Sequence, residues 1–206
     1  MEVKNQPKII IFHGLGGSPR SAWIPWLKRE LEARGYEAVT PRFPHPWRFY
    51  AGALLKNLVP GLKTPVFADW LKVFESYAVA PDKNTILVGH SLGGAFTLKL
   101  LEGLDSPVKA TVLVAAPAGL GRGKLYLAAR DFTDGFKYDW PRIKANAGAV
   151  TVIQGASDRT VNPVNGRELA ARLGAELIMA PGVGHSGTSD GRQFSLLLEK
   201  IEQFLK

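Results

Sequence analysis

The sequence predicts a three-layer α/β fold built around a mostly parallel sheet of six strands. Two observations carry this prediction: short runs rich in β-branched residues recur along the 206 residues, and helical patterns separate them. Strands joined by helices form right-handed crossovers, which give a parallel sheet covered by helices on both faces. We expect the strand order 2-1-3-4-5-6 and a single domain over residues 1–206.

Continuous apolar runs identify the strands, because a strand buried on both faces lacks polar alternation. These runs predict strands at 8–12, 37–40, 85–88, 108–114, 150–154 and 176–179. Apolar residues three and four positions apart are typical of helices that cover a sheet. This spacing predicts helices at 23–31, 70–77, 92–104, 163–173 and 193–205.

Two segments depart from the alternation of strands and helices. Segment 41–65 contains five prolines, so we expect it to be irregular. Segment 119–147 is too long for a simple connection between the fourth and fifth strands, and it carries several aromatic residues. We predict that it forms a small lid-like insertion.

Composition and charge exclude several classes of protein. The 26 Lys and Arg exceed the 18 Asp and Glu, which gives a formal net charge of +8. The basic residues are scattered and not interleaved with aromatics, which is typical of a solvated surface, so no nucleic acid partner is expected. The lack of cysteine excludes disulfides, thiolate metal sites and cysteine nucleophiles. No apolar stretch resembles a secretory signal or a membrane span, and we expect a cytoplasmic protein.

The strongest chemical signal is the run Gly89-His90-Ser91-Leu92-Gly93, which directly follows the third predicted strand. This is a G-x-S-x-G motif in the strand–turn–helix context that the motif requires. Glycines on either side of the serine avoid collisions at a sharp turn. The turn raises the Ser91 hydroxyl above the edge of the sheet, so we predict that Ser91 is a nucleophile. The alternative is a tight turn in which Ser91 only caps the following helix.

A serine hydroxyl needs an adjacent base, and the chain has four histidines. His185 follows the sixth strand in a glycine-rich loop, at the edge of the sheet where parallel strands gather ligands. His90 belongs to the turn itself, and we expect its side chain to point away from the site. His13 closes the first strand, and His45 lies between prolines. The position of His185 therefore favours it as the base over a plain surface histidine.

The acid that orients the base is expected at another strand end. Asp158 lies on a short loop after the fifth strand, and the order Ser91, Asp158, His185 is the chain order that serine hydrolases of this architecture use. Asp158 is alternatively an Asx turn or a helix cap. Asp131, Asp134 and Asp139 lie in the long insertion, where no strand fixes them.

The sequence His13-Gly14-Leu15-Gly16-Gly17 follows the first strand, beside the turn of Ser91 in the expected strand order. We predict that the backbone N–H groups of Leu15 and Leu92 form an oxyanion hole. A phosphate-binding loop is the competing interpretation. It is disfavoured because the run lacks G-x-G-x-x-G and no Lys-Ser/Thr follows.

These residues resemble a known family, the α/β-hydrolases, and within it the small YdeN-type serine hydrolases, a group that includes retinoblastoma-binding protein nine. The resemblance covers essentially the whole chain. It is carried by His13-Gly14, Ser18-Pro19, Trp23, Pro25-Trp26-Leu27, Pro44-x-Pro46, Trp70, Gly89-His90-Ser91, Asp158 and His185. The resemblance implies that Ser91 is the nucleophile, Asp158 the acid and His185 the base. Binding of a pocket protein through L-x-C-x-E is not implied, because the chain has no cysteine.

We expect a serine hydrolase of the carboxylesterase type that cleaves a small-molecule ester or related acyl bond through an acyl-enzyme, without metal or cofactor. The aromatic residues Trp47, Phe49 and Phe136 are candidates for an apolar substrate pocket, or equally for a satellite of the core. Two other classes stay open. One is a non-catalytic binding module on the same scaffold, which a fluorophosphonate would fail to label. The other is a nucleic-acid-associated protein, whose binding would weaken steeply with salt.

Overall fold

The computed structural model describes residues 7–44, 67–118, 132, 137–188 and 192–206. Within these ranges six strands alternate with six helices. The strands are β1 (Lys8–Phe12), β2 (Glu37–Val39), β3 (Thr85–His90), β4 (Ala110–Val114), β5 (Ala149–Gly155) and β6 (Glu176–Ala180). The helices are α1 (Ile24–Ala33), α2 (Phe67–Ser76), α3 (Leu92–Gly103), α4 (Trp140–Asn146), α5 (Val164–Leu173) and α6 (Ser195–Leu205).

The sheet has the strand order β2-β1-β3-β4-β5-β6, as the sequence predicts. All five pairings between the described strands are parallel. The order reverses between β1 and β3, and at such a switch point the loops after the two strands open a crevice. The carboxyl ends of the strands therefore gather the loops that follow β1, β3, β5 and β6 at one edge.

Successive residues of each strand face opposite sides of the sheet, and both sides are apolar. Ile10 and Phe12 of β1 belong to the cluster that packs against α2, α3, α4 and α5. Ile9 and Ile11 of the same strand belong to the cluster that packs against α1 and α6. All four side chains are almost completely inaccessible to solvent. Helices therefore cover both faces, which explains why the strands read as unbroken apolar runs.

Strand β3 extends two residues beyond its predicted end at Val88. Glycine is uncommon in strands, so Gly89 marks a boundary in the sequence. Parallel pairing with β4 nevertheless continues through Gly89 and His90, and His90 pairs with Val114. The strand consequently carries the chain directly into the turn at Ser91.

The prediction of a lid-like insertion over 119–147 is wrong for its last part. Residues 140–146 form α4, the helix that precedes β5, and Ile143 of α4 is completely buried in the core. The amide of Asn146 donates to the carbonyl oxygens of Leu101 and Leu104 at 2.9 and 2.8 Å, which ties α4 to the end of α3. This part is a helix packed on the sheet. Residues 119–131 and 133–136 lie outside the described ranges.

Among the described residues, no helix has the length and the apolar character that crossing a membrane requires.

Candidate active site

The turn between β3 and α3 holds Ser91 in a strained backbone conformation. Ser91 has φ 54° and ψ −124°, a region that costs a residue with a side chain about 1–3 kcal/mol. Its N–H donates to the carbonyl oxygen of Val114 at 2.9 Å, which extends the pairing of β3 with β4 to the serine itself. The sheet thus fixes the backbone of Ser91 while the turn directs its side chain away from the sheet.

The glycines that flank Ser91 are required by close approaches of the backbone. A Cβ at Gly93 would overlap the carbonyl oxygen of Phe12 at the end of β1, and a Cβ at Gly89 would lie 2.7 Å from the Cα of Gly94. No side chain fits at these distances. The structure therefore agrees with the steric reason for the motif, since Gly93 lets α3 begin close to the end of β1 and Gly89 lets α3 pack close to the end of β3.

His185 lies between Ser91 and Asp158, within hydrogen-bonding distance of both. Its Nε2 is 2.9 Å from Ser91 Oγ, and its Nδ1 is 2.9 Å from Asp158 Oδ2. A carboxylate only accepts hydrogen bonds, so Nδ1 carries the proton and Nε2 accepts from the serine hydroxyl. The structure thus brings together the three side chains that the sequence singles out, from the ends of β3, β5 and β6.

The Asp158 carboxylate is buried and accepts hydrogen bonds on both oxygens. Oδ1 accepts from the backbone N–H groups of Thr160 at 2.8 Å and Val161 at 3.0 Å, and Oδ2 accepts from His185. Burial raises the pKa of Asp158, but the hydrogen bonds from His185, Val161 and Thr160 outweigh it and hold the pKa below its usual value. Asp158 can therefore form an Asx turn and orient His185 at the same time, because Oδ1 accepts from the backbone of the turn and Oδ2 accepts from the imidazole.

Gln154 contacts the predicted acid, and the sequence does not indicate this contact. It lies on β5, completely buried, and its Nε2 donates to Asp158 Oδ2 at 3.1 Å. The same oxygen accepts from His185, so the glutamine amide stabilises the charged form of the carboxylate. No sequence motif marks this position, and its role depends on the tertiary structure.

The loop after β1 lies directly against Ser91. A Cβ at Gly14 would lie 2.8 Å from Ser91 Cβ and 3.3 Å from Ser91 Oγ. The carbonyl oxygen of Gly14 accepts from Gly17 N–H at 3.0 Å and from His13 Nδ1 at 2.8 Å. His13 Nε2 in turn accepts from Phe43 N–H at 3.2 Å, which fixes His13 as the neutral Nδ1–H tautomer. These bonds fix the orientation of the peptide unit that joins Gly14 to Leu15.

A cavity of about 100 Å³ lies beside Ser91. It is lined by His13, Gly14, Leu15, Gly17, Ser21, Ala22, Ile24, His90, Ser91 and His185. The predicted pocket residues Trp47, Phe49 and Phe136 lie outside the described residues, as does His45.

Three other aromatic residues of the predicted insertion lie in or against the core. Phe132 is buried, with its ring 5.0 Å from that of Trp70. Tyr138 and Trp140 pack against the same core cluster. Asp139 caps α4 by accepting from Arg142 N–H at 3.1 Å. Asp131 and Asp134 lie outside the described residues.

The expectation that His90 points away from the site is wrong. Its ring centroid lies 5.1 Å from that of His185, and its Nε2 lies 3.0 Å from the carbonyl oxygen of His185. Burial, together with the neighbouring His185, lowers the pKa of His90 to about 4. His90 is thus a neutral side chain that contacts the residue predicted to be the base. The sequence order alone could not reveal this contact, since 95 residues separate the two histidines.

Comparison with known proteins identifies the family. A family model described as "Serine hydrolase" matches residues 9–195. YdeN of Bacillus subtilis (strain 168) is 29% identical over 187 residues, which cover 89% of this chain and 88% of YdeN. The sequence of this chain therefore resembles YdeN over most of both proteins.

Solved structures give the same result. The crystal structure of the ydeN gene product from B. subtilis matches with a TM-score of 0.79 and 25% identity, covering 97% of this chain and 98% of that chain. The crystal structure of esterase PE8 matches with a TM-score of 0.62 and 19% identity, covering 97% and 93%. At that identity the likeness to PE8 shows the fold alone. Together these comparisons confirm the resemblance to YdeN-type α/β-hydrolases.

Proposed function

The chain belongs to the serine hydrolase family and is a hydrolytic enzyme, and from this premise we propose that it cleaves carboxylic esters or related acyl bonds. Ser91 is the nucleophile, His185 the general base and Asp158 the residue that orients the base. The observation that carries the proposal is the unbroken line of hydrogen bonds from Ser91 Oγ through the His185 ring to Asp158 Oδ2. This is the arrangement that activates a weak hydroxyl nucleophile.

In the acylation step, His185 Nε2 takes the hydroxyl proton while Ser91 Oγ attacks the carbonyl carbon of the substrate. The imidazole becomes a cation, which the buried Asp158 carboxylate stabilises through Nδ1–H. The tetrahedral intermediate then expels the alcohol, which receives the proton from Nε2. An acyl-enzyme on Ser91 remains.

Water releases the acyl group by the same sequence of proton transfers. His185 Nε2 accepts a proton from the attacking water, and the hydroxide adds to the acyl carbon. Collapse of the second tetrahedral intermediate returns the proton to Ser91 Oγ and frees the carboxylic acid. Ser91, His185 and water carry out these proton transfers, with Asp158 orienting the base.

The backbone N–H groups of Leu92 and Leu15 are the proposed donors to the oxyanion. Leu92 is the first residue of α3, and a helix leaves the N–H groups of its first turn without acceptors inside the helix. Leu15 shares a peptide unit with Gly14, and a trans peptide points its N–H opposite to its carbonyl oxygen. Because His13 and Gly17 hold the Gly14 oxygen, the direction of the Leu15 N–H is fixed before substrate binds.

The substrate is proposed to be a small molecule with an acyl group bound beside Ser91. The cavity at the nucleophile contributes about 100 Å³ and has Leu15 and Ile24 among its lining residues. We propose that Trp47, Phe49 and Phe136 extend this apolar surface. Location in the cytoplasm is part of the same proposal.

Labelling with a fluorophosphonate tests the proposal directly, because the probe reacts only with an activated serine. We expect rapid labelling of the wild-type protein and none of Ser91→Ala, with labelling strongly slowed in His185→Ala. Ser76→Ala, an exposed serine on α2 whose hydroxyl donates to Val73, serves as the matched control and should label like the wild type. A wild-type protein that does not label, and hydrolyses no p-nitrophenyl ester, would support the non-catalytic binding module instead.

A further inference from the structure

We propose that His90 and Trp23 position the loop that carries His185, by donating hydrogen bonds to the carbonyl oxygens of His185 and Ser186. This inference rests on the proposed function, in which His185 is the base. Neither residue touches the reacting atoms in this mechanism. They act through the loop, and they are positioning residues.

The loop that follows β6 has no regular secondary structure around His185, so its position depends on individual hydrogen bonds. Four consecutive carbonyl oxygens each accept one. Two of the donors are backbone N–H groups: Ser157 donates to Val183 at 3.0 Å, and Gly187 donates to Gly184 at 3.3 Å. The other two are side chains: His90 Nε2 donates to His185 at 3.0 Å, and Trp23 Nε1 donates to Ser186 at 2.8 Å. The two bonds nearest the imidazole therefore come from side chains of distant elements.

The His90 donor is built into the turn of the nucleophile. His90 is the last residue of β3 and directly precedes Ser91. The His185 carbonyl only accepts, so His90 Nε2 carries a proton. Ser91 Oγ contacts the imidazole of His185, and His90 Nε2 donates to the backbone carbonyl oxygen of His185. Two adjacent residues of one turn therefore hold both the side chain and the backbone of His185. The distance between nucleophile and base is thereby set through a single turn.

The groups around His90 favour a neutral donor. The charged groups and histidines that act on it are His185, Asp158 and His13. During catalysis His185 becomes a cation, and a second cation with its ring centroid 5.1 Å away would oppose that charge. A neutral imidazole supplies the hydrogen bond without this repulsion. A lysine at this position could also donate a hydrogen bond, but its charge would oppose the cation that forms on His185.

The Trp23 donor comes from the residue that precedes α1. Its side chain is completely buried, and its ring lies 5.7 Å from His90 and 5.6 Å from Phe194 between ring centroids, both edge-to-face. These contacts hold the indole in the single orientation that directs Nε1 at Ser186. Trp23 belongs to the sequence signature formed by Ser18-Pro19 and Trp23. The hydrolytic mechanism gives this tryptophan no role.

The test compares His90→Leu, which removes the donor, with His90→Gln, whose amide nitrogen lies the same number of bonds from Cα as Nε2. With p-nitrophenyl acetate, we expect His90→Leu to lower kcat about 10- to 100-fold with little change in KM, as misplacement of a catalytic group does. His90→Gln should recover most of the loss. Trp23→Phe should lower kcat, whereas Trp26→Phe, the same change in α1, should not.

A second readout does not depend on activity. Hydrogen–deuterium exchange of the peptide that covers 181–188 should increase in His90→Leu and Trp23→Phe, and stay near wild type in His90→Gln and Trp26→Phe. Circular dichroism establishes whether each variant is folded. If His90→Leu does not fold, the Gln and Phe variants decide the outcome by the same two measurements.

Three results would overturn the inference: a folded His90→Leu with wild-type kcat and exchange, a His90→Gln as impaired as His90→Leu, or a folded Trp23→Phe with wild-type kcat and exchange. Failure of the proposed function looks different. In that case the wild-type protein is not labelled by fluorophosphonate, while the exchange measurement still reports whether His90 and Trp23 hold the loop.

Discussion

Gln154 and His185 donate to the same oxygen of Asp158, at 3.1 and 2.9 Å. The two donors come from β5 and from the loop after β6, so Oδ2 is held from both sides. Because the glutamine amide nitrogen must face an oxygen that only accepts, its orientation is determined by the carboxylate. Asp158 is thus fixed in place and kept charged by groups that do not depend on the substrate.

Removing the Gln154 donor should weaken the proposed catalysis without abolishing it. A hydrogen bond to a charged group contributes about 1.5–3 kcal/mol, so we expect Gln154→Leu to lower kcat/KM about tenfold or more. Gln154→Glu should be worse, because a second carboxylate would repel Asp158. Steady-state kinetics on p-nitrophenyl acetate measures both. Equal rates for the wild type and the Leu variant would show that the amide plays no part.

Asp158→Asn should impair the reaction far more than it impairs folding. The amide would donate to Nδ1 and favour the wrong imidazole tautomer, which in serine proteases costs about 10⁴-fold in kcat. The matched control is Asp82→Asn. Asp82 precedes β3, accepts a hydrogen bond from the Thr85 hydroxyl and lies outside the site. This substitution should change stability and leave kcat unaltered. An active Asp158→Asn would remove Asp158 from the mechanism.

Gly14→Ala should disturb the proposed nucleophile, Ser91, through a steric contact. The added methyl group would lie 2.8 Å from Ser91 Cβ, so either the serine or the loop must shift. We expect at least a tenfold loss of kcat, in keeping with the sensitivity of catalysis to small displacements. Gly103→Ala is the control, since a Cβ there meets nothing within 4 Å at the end of α3. It should be neutral or slightly stabilising.

His90 should make the folded protein less stable in mild acid. An unfolded histidine binds a proton below about pH 6.5, whereas His90 in the folded protein has a pKa of about 4 and does so only below that pH. Between these values the unfolded state binds more protons, so stability falls as the pH falls, by up to about 3 kcal/mol. The lowered pKa of Asp158 acts in a separate window, because its stabilisation is lost only as the pH falls through a still more acidic range.

Urea unfolding at about pH 7.5 and pH 5 measures this effect. Because His90→Gln keeps a donor and does not titrate, its midpoint should fall less between the two pH values than that of the wild type. All other carboxylates and histidines are common to both proteins and cancel in the comparison. An identical fall in both proteins would mean that His90 is protonated normally.

The proposed acyl pocket can be tested with p-nitrophenyl esters of increasing chain length. If Trp47 and Phe136 line it, Trp47→Ala and Phe136→Ala should change the relative kcat/KM of long and short esters while the acetate rate stays within a fewfold range. Burial of each further methylene contributes about 0.8 kcal/mol, which is roughly fourfold in kcat/KM. A chain-length preference that neither substitution alters would exclude both residues from the pocket.

The sheet order and the proximity of Ser91, Asp158 and His185 could be predicted from the sequence, because both depend on short sequence patterns. Buried strands such as β1 appear as apolar runs, and the turn at Ser91 has steric requirements that only glycine neighbours meet. The apolar pattern does not predict helix α4, because the helix is only seven residues long and Ile143 is one of only two buried residues in it. Asp139 and Pro141 do mark its start, as a helix cap and a first-turn proline do elsewhere.

The supporting contacts could not be predicted from the sequence. Gln154 acts through Asp158, which is near in the chain, but nothing in the sequence distinguishes it from any other polar residue of a strand. His90 and Trp23 contact residues 95 and 163 positions away. Such contacts follow from the way the elements pack, and a pattern along the chain does not contain them.

His185 follows the sixth of the described strands, whereas Ser91 follows the third. The two residues are 94 positions apart, and β6, which precedes His185, lies at the outer edge of the sheet. Contacts between distant parts of a chain form slowly, because a large loop must close before they become favourable. During refolding from denaturant, enzymatic activity should therefore return only after most of the helical circular dichroism signal has recovered. The return of activity would report that β6 has paired with the sheet.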